Sequence, residues 1–276
     1  MIFPGNSVRQ SMRNDCACAT MNAMDISARL CQLSEITSLR NLYREEMNCQ
    51  IIHDSIHQRA GWSKEYALEL AGKTVAYGSV AIAGPWREAH ALYEFYVQPD
   101  HRLRTFDLFS SLLNVCGAKI IETQSNDRFL TTMLHSFATD VRAESILFED
   151  AFQTSYRPAD AAFRAAKTDD IEALKRYELD DGAGWVTTIH DQVVGAGDVL
   201  YHYNRPFGDI YMKIAEPFRR RGLGSYLVQE LKAVCRMDAG VPAARCGISN
   251  LSSRQTLQKA GFIPCGNLIV GDLPVG

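Results

Sequence analysis

One succession of apolar segments runs through this chain twice, and that repetition restricts the folds open to it more than any single motif does. A short strand around Ala28-Arg29-Leu30 leads into a helix through Leu39, Leu42, Tyr43 and Met47, capped by Ser34 or Thr37, with a further helical stretch near 51–59. Alternating apolar residues predict strands over 65–70, 74–83 and Ala91–Val97, punctuated by Ala71-Gly72-Lys73 and Gly84-Pro85. The order returns with Ala162-Phe163-Arg164-Ala165, a helix from Asp169 or Asp170 through Ile171, Leu174 and Tyr177, and strands over Trp185–Ile189, 193–201 and 209–214. Val75, Gly78 and Val80 fall on Val194, Gly197 and Val199 without a gap, and Val97 falls on Ile214. Ser125-Asn126 resembles Ser249-Asn250, and Phe137 falls near Phe262. A tandem duplication explains the match; chance likeness and a single large mixed sheet are the alternatives.

The 276 residues suffice for two ordinary domains. Residues 1–25 hold no sustained period and read as a leader or loosely attached arm; the first unit spans 26–152, a linker 153–162, and the second unit 163–276. Tyr156-Arg157-Pro158 marks the linker, because proline disfavours a continuing helix or central strand. A net charge of -3 supplies no global basic field, so neither nucleic acid nor an anionic membrane is expected as a partner, and any anion site must be local. No long apolar run and no signal-like core at the N-terminus are seen, which leads to the expectation of a soluble cytoplasmic protein. The eight cysteines are scattered and read as reduced, buried thiols. His53-Asp-Ser-Ile-His57 has metal-binding spacing but no third ligand, so no metal is expected.

Chemistry concentrates where the 209–214 strand meets Arg219-Arg220-Arg221-Gly222-Leu223-Gly224-Ser225, followed by a helix with apolar Tyr226, Leu227, Leu231 and Val234. In a strand-turn-helix the first helical N–H groups have no internal partner, and the positive helix end favours an anion there. Glycines admit a bulky pyrophosphate to the backbone, and guanidinium groups add charge and planar donors. A dinucleotide fingerprint wants a third glycine where Leu227 stands, and a P-loop wants Gly-Lys-Ser/Thr; neither is present.

The turn resembles the Arg/Gln-x-x-Gly-x-Gly/Ala signature of the GNAT superfamily of acyl-CoA-dependent N-acyltransferases. Downstream, a strand over 244–248 is followed by Asn250, Ser253, Lys259, Gly261 and Phe262, which resemble the family's Asn-x-x-Ala/Ser and Lys-x-Gly-Phe segment. The resemblance covers about Phe163 to Leu273. It implies an α/β fold, a twisted mixed sheet flanked by helices, present twice as tandem GNAT-like domains with a degenerate first copy. It further implies acetyl-CoA or another acyl-CoA as cofactor. Residues Arg219, Arg220, Arg221, Gly222, Leu223, Gly224 and Ser225 would hold the pyrophosphate, and Asn250 and Ser253 the pantetheine arm or far end of the cofactor, although Asn250 also suits a helix cap. Backbone groups of Met212, Lys213 and Ile214 would meet the pantetheine and thioester where two strands splay apart.

An amine with a lysine-like pKa of about 10.4 arrives protonated, so a carboxylate acting directly or through water must take a proton. Asp209 and Glu216 are the nearest carboxylates, and Asp209 is preferred although its register is off by about one residue. The family's usual tyrosine acid is replaced by Leu257, which leaves Tyr211, a bound water, or no acid at all. In the first unit Arg102 and Arg104 fall on Arg219 and Arg221, but Thr105 and Asp107 replace Gly222 and Gly224, which blocks and repels a pyrophosphate. Glu94, Tyr96 and Trp86 line an acceptor cleft or pack structurally. The expected activity is acyl transfer to a small-molecule primary amine by direct attack, in a monomer acting as an intramolecular pseudo-dimer or in a homodimer. A non-catalytic acyl-CoA-binding or sensing protein is the alternative, and another phosphate ligand for the arginines a third.

Overall fold

In the computed structural model, residues 26–51 and 53–274 are described. The first half comprises β1 (Ile26–Cys31), α1 (Leu33–Met47), α2 (Asp54–His57), β2 (Ser63–Leu70), β3 (Lys73–Ala81), β4 (Ala91–Val97), α3 (Thr105–Cys116), β5 (Ile120–Gln124), α4 (Arg128–Phe137) and β6 (Thr139–Asp150). The second comprises β7 (Ala161–Ala165), α5 (Ile171–Arg176), β8 (Trp185–Ile189), β9 (Gln192–Leu200), β10 (Phe207–Ile214), α6 (Leu223–Met237), β11 (Val241–Gly247), α7 (Leu251–Lys259) and β12 (Phe262–Asp272). No helix among the described residues is long and apolar enough to cross a membrane.

All strands join one 12-stranded sheet in the order β1-β2-β3-β4-β5-β12-β6-β11-β10-β9-β8-β7. Duplication and a single mixed sheet, alternatives in the sequence, therefore coexist. The order reads the same when each first-half strand is exchanged for its second-half counterpart. The two terminal strands have changed sides: β12 closes the first half against β5, while β6 of the first half pairs with β11 of the second.

Register preserves the repeat in detail. Ala76 lies opposite Val97 and Leu68, as Gly195 lies opposite Ile214 and Thr187, and a β-bulge follows at the same place, after Leu68 and after Thr187. Arg29 pairs with Glu35 across the start of α1, and Arg164 pairs with Asp170 before α5. In each half the acid also accepts the backbone N–H three residues before it, from Gln32 and from Lys167, and its own N–H donates to the carbonyl of that residue, which fixes the entry of the chain. Helix α1 thus begins after Gln32, one turn earlier than a Thr37 cap would allow. The stretch near 51–59 yields only the single turn of α2.

In the first half, α3 and α4 pack on one face of the sheet through Leu108, Phe109, Leu112, Leu130 and Leu134, and α1 packs on the other through Ile36, Leu39 and Tyr43. On that second face lies a buried polar cluster. Arg40 makes a forked contact with Glu94, 2.8 Å to each oxygen, and Glu94 also accepts from Tyr77 at 3.0 Å and lies 3.3 Å from His57. Burial alone would raise the Glu94 carboxyl, but the Arg40 guanidinium and His57 hold it well below the usual carboxylate range. Glu94 is 1% exposed and Tyr96 is buried, so neither lines a cleft. Trp86 donates to Glu122 at 2.7 Å.

Glu94→Ala should cost about 3–5 kcal/mol in urea unfolding, because it leaves Arg40 buried without its partner. A group with a depressed folded pKa stabilises above its unfolded value and loses that contribution in acid. The deficit of the variant should therefore shrink as pH falls below the carboxylate range. Trp62 and Trp86 report on the first half and Trp185 on the second, so single-tryptophan variants should share one unfolding midpoint; separated midpoints would mean the exchanged strands do not couple the halves.

Candidate functional site

Strand β10 is paired along its length with β9, from Asp209 opposite Leu200 to Ile214 opposite Gly195. Its other edge pairs in parallel with β11 only at Phe207, Gly208 and Asp209. Beyond Asp209 the two strands diverge, leaving one edge of Tyr211 to Ile214 outside the ladder. A groove of about 1140 Å³ runs from this split to the start of α6.

Three elements wall the groove. Strand β10 contributes Met212, Lys213 and Ile214; the turn and first turn of α6 contribute Arg219, Arg220, Gly222, Leu223, Gly224 and Ser225; and α7 contributes Asn250 and Ser253. The turn is built by two left-handed residues, Arg220 at φ 63° and Gly222 at φ 78°, the latter the N-cap of α6. A Cβ on Gly222 would lie 2.6 Å from the ring of Tyr156, a linker residue folded over the turn. One on Gly224 would lie 3.1 Å from Thr256 and 3.2 Å from Met212, where α6 meets α7 and β10. Ser225 is buried and donates to Thr256 O at 3.1 Å.

The arginines differ in duty. Arg219 donates through Nε to Ile214 O at 3.1 Å, as Arg102 donates to Val97 O at 3.2 Å, so this contact shapes the turn in both halves. Arg220 is exposed at the groove. Arg221 does not line it: its guanidinium lies over Phe218 and donates to Pro217 O at 3.3 Å. Asn250 caps α7 by accepting from Ser253 N at 3.0 Å while facing the groove, so the helix-cap reading and the groove position hold together. Lys259 of the Lys-x-Gly-Phe segment joins the lining, as do Ser252, Gln255, Thr256 and Gln258, which carry no motif of their own. Leu257 points into the core, 5% exposed.

Ile210, Met212 and Ile214 pack toward α6, and the alternate residues face the other side of the sheet. There Asp209 lies 3.4 Å from His202 Nε2 and 3.5 Å from Arg245 Nε, beside a small cavity lined by Gln50 and Ile51 of the first half and Tyr203 of the second. Tyr211 is not brought to the groove lining; its hydroxyl donates to Asp180. Burial and that carboxylate push the phenol above its ordinary range, while the hydrogen bond draws Asp180 down. Lys213 Nζ donates to Glu178 O. The halves meet here: His53 packs edge-on against Trp86, Tyr93 and Tyr203, and burial brings its imidazole down to about 3. Among the described residues no group of three His, Cys, Asp or Glu side chains is arranged to hold a metal.

In the first half β4 and β5 also pair only at their start, through Ala91 and Leu92. The following turn is closed, however. Helix α3 begins directly at Thr105, whose hydroxyl donates to Arg102 O at 2.7 Å, and Arg104 pairs with Asp107 at 2.7 Å.

Residues 147–262 match the acetyltransferase (GNAT) family. No protein of curated function matches the chain. Among solved structures, an acetyltransferase from the GNAT family from Colwellia psychrerythraea superposes with a TM-score of 0.72 at 13% identity, over 90% of this chain and 100% of that one. A tandem GNAT protein from the clavulanic acid biosynthesis pathway gives 0.61 at 11% identity, over 91% and 100%. A GCN5-related N-acetyltransferase from Sphaerobacter thermophilus gives 0.58 at 14%, over 91% and 96%. At these identities the likeness is one of fold, and it extends through both halves.

The positive φ of Gly222 and its contact with Tyr156 make alanine there strained: Gly222→Ala should lower stability by about 1–2 kcal/mol, read from the urea midpoint.

Proposed function

We infer that this chain, whose residues 147–262 match the GNAT acetyltransferase family, moves an acetyl or short acyl group from acyl-CoA to a primary amine by direct attack. The observation that carries the reading is the single groove joining the unpaired edge of β10 to the glycine turn at the start of α6. Its chemistry suits the donor. Unpartnered N–H groups at the start of α6, the helix dipole and exposed Arg219 and Arg220 suit a pyrophosphate. The free edge at Met212 to Ile214 suits an amide-bearing pantetheine arm, and Asn250 and Ser253 stand across from it. Acyl-CoA supplies the activated acyl group, while the protein supplies position and donors for the oxyanion that develops.

Asp209 ends the paired stretch of β10 at the apex of the split, which suits a carboxylate that drives removal of the ammonium proton. The first half, with its turn closed by Thr105 and by the Arg104–Asp107 pair, is proposed to leave CoA to the second half and to wall the acceptor side. Its acceptor is proposed to be a small-molecule amine, and the working form a cytoplasmic monomer with an internal pseudo-dimer, or a homodimer of it. Binding without turnover is a second reading, favoured by one observation: Tyr211, the candidate acid, donates its hydroxyl hydrogen to Asp180 and does not line the groove.

Calorimetry with acetyl-CoA tests the first reading. Wild type should bind in the micromolar range, and the Gly222→Asp, Gly224→Asp variant should not, because carboxylates would fill and repel the phosphate position. Wild type that does not bind would end the acyl-transfer reading. Binding without acyl transfer to any primary amine tested would favour the second.

A further inference from the structure

We propose that His202, oriented by Asp209 and anchored on the first half, is the group that takes the proton from the acceptor amine. This rests on the acyl-transfer reading above. His202 follows the end of β9, where Leu200 lies opposite Asp209, so the loop returns the imidazole to the Asp209 end of β10. Its Nε2 lies 3.4 Å from Asp209, and the imidazole is 33% exposed where the carboxylate is only 15% exposed. The imidazole is thus the more exposed member of the pair.

Asp209 also faces Arg245 Nε at 3.5 Å, so it is engaged from β11 as well as from the loop, which leaves it poorly placed to receive a further donor. Nε2 is the ring nitrogen nearest Asp209, and among the described residues no side-chain hydrogen bond engages either ring nitrogen, which leaves Nδ1 available as an acceptor. A neutral imidazole nitrogen is a stronger base toward an ammonium group than a carboxylate is. The other groups around the ring are Tyr203, edge-on at 4.0 Å, and His53 on the far side of Tyr203, held neutral by burial.

Contacts to the first half hold the loop. Ser55 N donates to His202 O at 3.3 Å, and the buried Asn204 side chain donates to Cys49 O at 2.8 Å. These give the first half a part in catalysis without any cofactor of its own. Nδ1 takes one proton from the ammonium group; the freed nitrogen lone pair forms the C–N bond at the thioester carbonyl; the C–S bond breaks as the intermediate collapses. The sulfur leaves with the second nitrogen proton as a thiol, and the imidazolium, stabilised by Asp209, returns its proton to water.

The test compares wild type, His202→Gln and Asp209→Asn by acetyl-CoA calorimetry, by acetyl-CoA consumption with a pool of primary amines from about pH 5 to 8, and by nitrogen NMR titration of the His202 ring. His202→Gln should bind acetyl-CoA as wild type does, lose about 10²–10⁴-fold in kcat/KM, and lose the acidic limb of the profile. Asp209→Asn should lower kcat/KM by less than His202→Gln does, keep an acidic limb, and change the His202 tautomer balance read by NMR. A wild-type rate in His202→Gln, or a tautomer balance unmoved by Asp209→Asn, would overturn the proposal while leaving acyl transfer in place. Absence of acetyl-CoA binding by wild type would overturn both.

Discussion

The β6–β12 ladder is the contact on which the rest of the molecule depends. Five strands of each half end at β5 or at β11, and a sheet edge left there would expose unpaired N–H and C=O groups. Strand β12 covers β5 from Gln124 to Ile120, and β6 covers β11 from Ala243 to Gly247. The consequence reaches the groove. Strand β11 meets β10 at only three positions, so its place is set chiefly by β6, a strand of the other half. Parting β10 from β11 is tolerable because β11 is held from behind.

Both halves inherit that parting of strands, so the divergence between them lies in the turn. A left-handed Gly222 lets the backbone turn sharply ahead of α6, and Gly224 brings the helix close to Met212 and Thr256. At the corresponding positions Thr105 and Asp107 continue into a helix, and their side chains satisfy groups that the second half leaves exposed. The first half then spends its charges internally: Arg40, Glu94 and His57 are buried together with the tyrosines around them. A buried ion cluster is weak evidence for net stability but is intolerant of losing one member.

Much of this was legible in the sequence, for physical reasons. Strand periodicity placed β2 to β4 and β8 to β10 within a residue or two, and the overlay of Val75, Gly78 and Val80 on Val194, Gly197 and Val199 coincides with the register of β3 and β9. The turn was legible because glycine and arginine have few other reasons to alternate there. Strand exchange was not, since β6 and β12 have the same alternation whichever partner they choose. The shared Arg29–Glu35 and Arg164–Asp170 pairs were in plain view as a charge spacing, but the second half writes the acid as Asp, which hides it. Arg221 was indistinguishable from its neighbours until φ at Arg220 and Gly222 turned it toward Phe218. His202 and Tyr156 lie in segments without periodicity, and only the folded chain brings them to Asp209 and Gly222.

The two faces of β10 divide the labour. Met212 and Ile214 turn toward α6 and the groove, whereas Asp209 turns toward Arg245, His202 and the residues of the first half. With a period of two, a single strand presents one set of side chains to the groove and another to the first half. The groove face meets the turn and α7, whereas Gln50, Ile51 and His53 lie on the opposite side. The first half reaches this face through Cys49 O, which accepts from the Asn204 side chain, and through Ser55 N, which donates to His202 O, so the position of the loop at 201–206 depends on both halves.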